Sequence, residues 1–190
     1  MNRSRSLAVA GTALALATLL GPLPGFASAA EPENARPPLV IPVKDFALSV
    51  VQPAGWQANE EAAKKAQALL AFTNGEVTIL VRTRIKLNEN VTLHLESDKL
   101  AVQKQFPGME PGPLDVKHPS YPTFARMLSK PGELYVYLAY VNPGTHYPES
   151  VSVTMSKRTA AATPAELAAY KELLSSVKVI LTAKDEEDAQ

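Results

Sequence analysis

The sequence predicts an α+β protein in which an antiparallel sheet of about six strands has helices packed on its faces. Short stretches of alternating apolar and polar residues follow one another with few helical stretches between them, a pattern typical of a strand meander. Asn74-Gly75 is a strong hairpin signal. Residues 133–141 are apolar on both faces, as in a strand at the centre of a sheet that is covered on both sides.

The first half of the predicted domain combines strands with one short helical stretch. Alternation predicts a strand over residues 46–51, and residues 53–56 end it as a turn. Residues 59–70 have a helical composition, but residues 69–73 also suit a strand that pairs back on residues 77–86. The helix must therefore be short or absent.

The second half opens with a longer helix and continues as a meander. Residues 91–106 place several apolar side chains on one helical face. Strands are predicted over residues 114–117 and 123–129, on either side of a proline-rich turn. Residues 151–155 alternate as a half-buried strand after the central one.

The clearest local signature is the helix start at Thr163-Pro164-Ala165-Glu166. Thr163 and Glu166 form a capping box, and Pro164 takes the first helical position, where a missing N–H costs nothing. Apolar residues follow at helical spacing, and residues 177–181 contain enough β-branched side chains to form a final strand.

The order of these elements resembles that of a known superfamily. A short strand followed by Pro-x-Gly-Trp, here Pro53-Ala54-Gly55-Trp56, opens domains of the PsbP/Mog-like superfamily, which continue with a hairpin, a helix, a meander and a terminal helix ending in a segment like residues 175–180. The resemblance covers nearly all of the chain after the first thirty residues. It implies a sheet of about six strands with helices on both faces, and a non-catalytic accessory or partner-binding role. It carries over no catalytic or metal-binding residue.

The first thirty residues have the features of a secretory signal peptide. Two arginines precede an apolar run over residues 7–20, and small residues at 27–29 offer a cleavage site. We therefore expect cleavage near Ala29 or Ala30 and a periplasmic or secreted protein. The apolar run is shorter than the roughly twenty residues that a membrane-spanning helix needs, so no membrane span is expected.

Composition divides the remainder into three parts and excludes several kinds of site. Residues 31–42 form a proline-rich leader, residues 43–182 a single α+β domain, and residues 183–190 an acidic tail. The chain has no cysteine, which excludes a cysteine-linked lipid anchor, disulfides and thiolate metal sites. After residue 30, 19 acidic residues face 17 basic ones, a balance that predicts no nucleic-acid partner.

The three histidines have no metal-binding spacing. His94 lies in the predicted helix, whereas His118 and His146 lie in proline-rich loops. These two loop histidines could meet at one end of the sheet and hold a metal with Asp115 or Glu149. The simpler interpretation is that they are exposed loop residues, and no metal site is predicted.

Tyrosines and arginines are the candidates for a recognition surface. Tyr135, Tyr137 and Tyr147 lie in the meander and its loops, and tyrosine is favoured at binding surfaces. If the helices leave part of one sheet face open, Tyr135 and Tyr137 line a groove; otherwise they pack under a helix. Arg82 and Arg84 share one strand face and form either a cationic patch or an ordinary solvated face.

These observations predict an exported, non-catalytic binding or accessory protein that contacts another protein in the cell envelope. The alternative is a carrier of a small ligand or lipid, with an apolar pocket between sheet and helix near Leu95 and Phe106. A hydrolase or a metal-binding protein is a weaker candidate, because no G-x-S-x-G motif or glycine-rich phosphate loop occurs. No cofactor is expected. An enzyme would bring polar groups of complementary role within hydrogen-bond reach in a cleft.

Overall fold

The fold is α+β, as the sequence predicts, with two antiparallel sheets and helices packed against them. The computed structural model describes residues 36–44, 46–86 and 91–181, although not the side chain of Leu181. The predicted signal peptide at 1–30, the first residues of the leader and the acidic tail at 183–190 lie outside the described residues.

Ten strands and three helices are described. The strands are β1 (Leu39–Val43), β2 (Phe46–Val50), β3 (Gln57–Ala58), β4 (Leu70–Thr73), β5 (Thr78–Ile85), β6 (Glu110–Gly112), β7 (Thr123–Lys130), β8 (Leu134–Val141), β9 (Glu149–Arg158) and β10 (Lys178–Leu181). The helices are α1 (Glu60–Lys65), α2 (Val91–Gln105) and α3 (Pro164–Ser176). None of these helices is long and apolar enough to cross a membrane.

The main sheet has seven antiparallel strands in the order β3-β4-β5-β9-β8-β7-β6, and β2 joins β1 and β10 in a second sheet of three strands. The main sheet is thus slightly larger than the six strands predicted. Its register sets Ser152 of β9 opposite Arg82 of β5 on one side and opposite Tyr140 of β8 on the other. Because side chains opposite each other across a ladder share a face, these three residues lie in one row.

The two faces of the main sheet are covered differently. One face packs against α3 and the three-stranded sheet in the larger apolar cluster, whose fully buried members include Tyr170, Leu173 and Val153. The other face packs against α2, which lies over β7 and β8 in a smaller cluster that contains Leu95 and Leu138. Since α2 does not extend over β5 and β9 to the same degree, Arg82, Arg84 and Thr154 on this face are only partly covered, whereas Ser150 and Ser152 between them are buried.

Several local signals are confirmed. The capping box is formed: Thr163 Oγ1 accepts from the Glu166 N–H at 3.2 Å, and the Glu166 carboxylate accepts from the Thr163 N–H at 2.6 Å. The hairpin turns at Asn74-Gly75, where Gly75 has φ +98°, a conformation that glycine adopts without a steric penalty. Strand β8 is buried along both faces over most of its length, as predicted.

Two boundaries differ from the prediction. Residues 39–42, placed at the end of the leader, form strand β1 of the small sheet together with Val43. The helical stretch of residues 59–70 is short, as predicted, because α1 ends at Lys65 and Leu70 already pairs in β4. The strand predicted over residues 114–117 is wrong: the Val116 N–H donates within a tight turn to the Leu114 carbonyl at 3.1 Å, and β6 forms the edge of the sheet instead.

Candidate functional site

A cleft of about 340 Å³ opens between α2 and the uncovered part of the main sheet. Asp98, Ala101 and Gln105 of α2 form one wall, and side chains of β5, β8 and β9 form the floor and the opposite wall. Arg82 and Arg84, for which the sequence left open a cationic patch or a solvated strand face, line this cleft. The strand alternation that placed them on one face therefore also placed them in the concave site.

Arg82 carries a half-buried positive charge that no carboxylate neutralises directly. Its Nε and Nη2 both donate to the Ala66 carbonyl, at 3.1 and 3.0 Å. Within the described ranges, no Asp or Glu oxygen lies within 4.0 Å of its guanidinium. Burial lowers the pKa of Arg82, which the more distant Asp98 and Tyr140 partly offset. A desolvated charge held only by a neutral carbonyl is an unfavourable arrangement that an anion in the cleft would relieve.

Arg84, in contrast, has its counter-ion. It forms an ion pair with Asp98, and the hydroxyl of Tyr140 donates to the other oxygen of the same carboxylate. Tyr140 is 1% exposed, and the His94 ring stacks on it with 6.0 Å between centroids. The carboxylate thus joins β5, α2 and β8 at one point and fixes the position of the Arg84 side chain.

The remaining polar groups of the cleft are hydroxyls. Ser152 is 3% exposed and lies opposite Arg82, and Thr154 follows two residues later on the same face. Neither hydroxyl makes a hydrogen bond with the described residues. Beside them, Val136 and Leu138 supply a buried apolar floor. The cleft therefore has a cationic and hydrogen-bonding side next to an apolar one.

An enzyme needs polar groups that lie within hydrogen-bond reach of each other and that have complementary chemical roles. Only the first of these two conditions is met here. Tyr140 and Asp98 are within hydrogen-bond reach at the cleft, but their roles do not suit proton transfer. Burial, and then the hydrogen bond to Asp98, raises the pKa of Tyr140 far above its usual value of 10.0. The phenol thus keeps its proton, and the carboxylate is already shared between that phenol and Arg84. These groups hold the Arg84 side chain and its charge in position.

The three candidate recognition tyrosines are buried or half-buried. Tyr137 is 4% exposed and packs beneath α3: its ring lies 6.3 Å from that of Tyr170, and its hydroxyl accepts from the Ala162 N–H at 2.8 Å. Of the two alternatives stated for Tyr137, an open groove or packing under a helix, the structure shows the second. Tyr135 and Tyr147 are half-buried, and Tyr147 packs edge-on against Phe46. None of the three lines the cleft.

His118 is a structural residue rather than an exposed loop residue. It is 9% exposed, and its Nε2–H donates to the Val177 carbonyl at 2.7 Å. Its Nδ1 accepts from the N–H groups of Ser120 and Tyr121, both at 3.0 Å. Because both ring nitrogens are used, His118 cannot ligate a metal together with the exposed His146. In the described part of the chain, no group of three or more potential metal ligands comes together.

A larger groove of about 770 Å³ lies between α3 and the tip of the β4–β5 hairpin, above Trp56. Two of its three carboxylates are closely paired, and the third, Glu76, is exposed and lies 3.9 Å from Lys157. Lys157 donates to both oxygens of Glu166, at 2.9 and 2.8 Å, and Arg36 pairs with Glu172 at 2.5 Å. Because these charges are satisfied within the protein, the groove offers less to a ligand than the smaller cleft.

Sequence reasoning found the two arginines but missed the other groups of the cleft. Asp98 is 14 residues from Arg84 and 42 from Tyr140, so no local spacing connects them. A usable signal was present in β9, where Ser150, Ser152 and Thr154 make one whole strand face polar.

No protein-family model matches the sequence, and no curated protein matches it either. The resemblance to the PsbP/Mog-like superfamily thus remains a prediction.

Proposed function

We propose that this chain is an exported, non-catalytic binding protein of the cell envelope, of the PsbP/Mog-like type, and that it contacts a partner protein through the cleft beside α2. The observation that carries the proposal is half-buried Arg82, which lines an open cleft and whose guanidinium has no carboxylate partner among the described residues. A partner that brings an acidic group supplies that missing counter-charge.

The outer surface of α2 supports a protein partner in particular. Leu93 and Leu100 are 48% and 62% exposed and lie two helical turns apart on the same side of the helix. Leu100 adjoins Ala101, which lines the cleft. Exposed large apolar residues beside a polar, charged recess are the usual composition of a recognition surface, where apolar contact supplies affinity and the charge supplies specificity.

A carrier of a small ligand is the second candidate. The cleft does lie between the sheet and a helix, as a carrier requires, and its volume is at the lower end of the range for small-molecule sites. It lies elsewhere than expected, however. Leu95 and Phe106, which were predicted to border an apolar cavity, instead pack in the apolar cluster under α2.

Co-purification of the tagged protein from the cell envelope tests the proposal. Ala101→Trp places an indole in the cleft, and Lys171→Trp places one on the exposed surface of α3 as a matched control. We expect a protein that is recovered with the wild type and with Lys171→Trp, but not with Ala101→Trp. Equal recovery with all three would contradict recognition through the cleft, as would a bound small molecule with no protein.

A further inference from the structure

We infer that the cleft beside α2 is a site for one carboxylate or phosphate group carried on a short apolar chain. This inference rests on the binding role proposed for the cleft and names the chemistry that it recognises.

The charge balance of the cleft favours a single anionic group. The charged residues that line it are Arg82, Arg84 and Asp98. Since Asp98 is already paired with Arg84, one positive charge remains, on Arg82. One anion neutralises this charge, whereas a neutral ligand leaves it desolvated and a cation adds repulsion.

Hydrogen-bond donors are placed beside that charge. The Ser152 hydroxyl belongs to a side chain more than nine-tenths buried, lies directly across the ladder from Arg82, and has no partner among the described residues. The Thr154 hydroxyl is next on the same face. A guanidinium with two hydroxyls is a donor set that suits the several acceptor oxygens of a carboxylate or phosphate.

The apolar part of the ligand has its own contact surface. Val102 and Ala101 of α2 line the cleft and are half-buried and exposed, respectively, above the already buried Val136 and Leu138. A bare anion such as inorganic phosphate leaves the exposed apolar surface of Ala101 and Val102 in water. An anion with a short apolar stem covers that surface and gains the corresponding free energy of burial.

Calorimetric titration of the purified exported protein tests this inference with four probes: octyl phosphate, octanoate, octanol and inorganic phosphate. We expect octyl phosphate and octanoate to bind more tightly than octanol by about tenfold or more, because a charged hydrogen bond is lost with the alcohol. Inorganic phosphate should bind more weakly than octyl phosphate. Equal affinity for octyl phosphate and octanol overturns the inference, and so does a failure of both anionic probes to bind.

Variants locate the site. Arg82→Gln should reduce affinity for octyl phosphate by about tenfold or more, and Arg82→Lys, which keeps the charge, should restore most of it. Arg158→Gln removes an exposed arginine at the far end of the same face and should leave affinity unchanged. Urea unfolding of each variant checks that the fold is intact. Equal losses in Arg82→Gln and Arg158→Gln would contradict a site in the cleft.

The source of the anionic group is resolved by competition. If octyl phosphate displaces the co-purified protein, the group belongs to that partner; if it binds without displacing the protein, the group belongs to a small ligand. Both results support an anion site. Anion-selective binding without any cleft-dependent partner would refute the proposed protein-binding role while leaving the anion site intact.

Discussion

Replacing His118 by alanine tests whether a buried imidazole joins the loop before β7 to the end of α3. The ring donates from Nε2 to the Val177 carbonyl and accepts at Nδ1 from the N–H groups of Ser120 and Tyr121. It also stacks on the Tyr121 ring, with 4.6 Å between centroids. The substitution removes all of these contacts at once.

The expected loss in the free energy of unfolding depends on which former partners of His118 stay buried after the substitution. Val177 is fully buried, so its carbonyl is left without a partner, at about 1–3 kcal/mol. Loss of the stacking contact adds about 1 kcal/mol. The N–H of exposed Ser120 can bond to water instead. We therefore expect the free energy of unfolding to fall by about 3 kcal/mol.

The effect should also depend on pH in a defined direction. Burial lowers the pKa of His118 below its usual value of 6.5, and the hydrogen bond to Val177 opposes this only in part. A proton on Nδ1 would face two N–H donors, so the folded protein requires the neutral ring. The contribution of the neutral His118 ring to the free energy of unfolding is thus fully present above the pKa of His118 in the unfolded state. It is lost as the pH falls through the pKa of His118 in the folded state.

Urea unfolding above and below pH 6.5 measures both effects, with His146→Ala as the matched control because His146 is exposed. We expect the control to stay within about 0.5 kcal/mol of the wild type. The difference in the free energy of unfolding between wild type and His118→Ala should become smaller at the lower pH. A loss no larger than that of the control, or a difference that widens on acidification, would refute the reasoning.

Two further predictions concern buried polar pairs. Lys157→Met leaves the buried Glu166 carboxylate without its main counter-ion and should cost about 3 kcal/mol in urea unfolding. Lys130→Met, which removes an exposed ion pair, should cost less than about 1 kcal/mol; equal losses would show that burial is not the cause. Tyr140→Phe removes the hydroxyl that donates to Asp98 and should cost about 1 kcal/mol. An unchanged unfolding midpoint would mean that this hydrogen bond contributes nothing to stability.

The parts of the fold that sequence predicts are those set by local chemistry. The capping box at Thr163 and the turn at Asn74-Gly75 depend on neighbouring residues, and both form where expected. The two-sided apolar run of β8 likewise shows burial on both faces. Strand β1 was missed because Leu39 and its neighbours form a strand only by pairing with β2, and a proline-rich composition gives no sign of that partner.

The candidate site was predictable only in part for the same reason. Alternation places Arg82 and Arg84 on one face, but the contact of Asp98 with Tyr140 depends on how α2 crosses the sheet. The role of His118 depends on the Val177 carbonyl, 59 residues away. Such long-range pairings have no periodic signature, so the sequence could not distinguish a buried histidine from an exposed one.

Site-specific photocrosslinking in the cell envelope tests the central claim most directly, namely that the cleft beside α2 is where this protein recognises its partner. A photoreactive amino acid replaces Ala101 at the cleft and, as a control, Lys171 on α3. We predict a discrete protein adduct from position 101 that is lost in Arg82→Gln and absent from position 171. Adducts from position 171 alone, or an adduct at 101 that is unaffected by Arg82→Gln, would contradict the account.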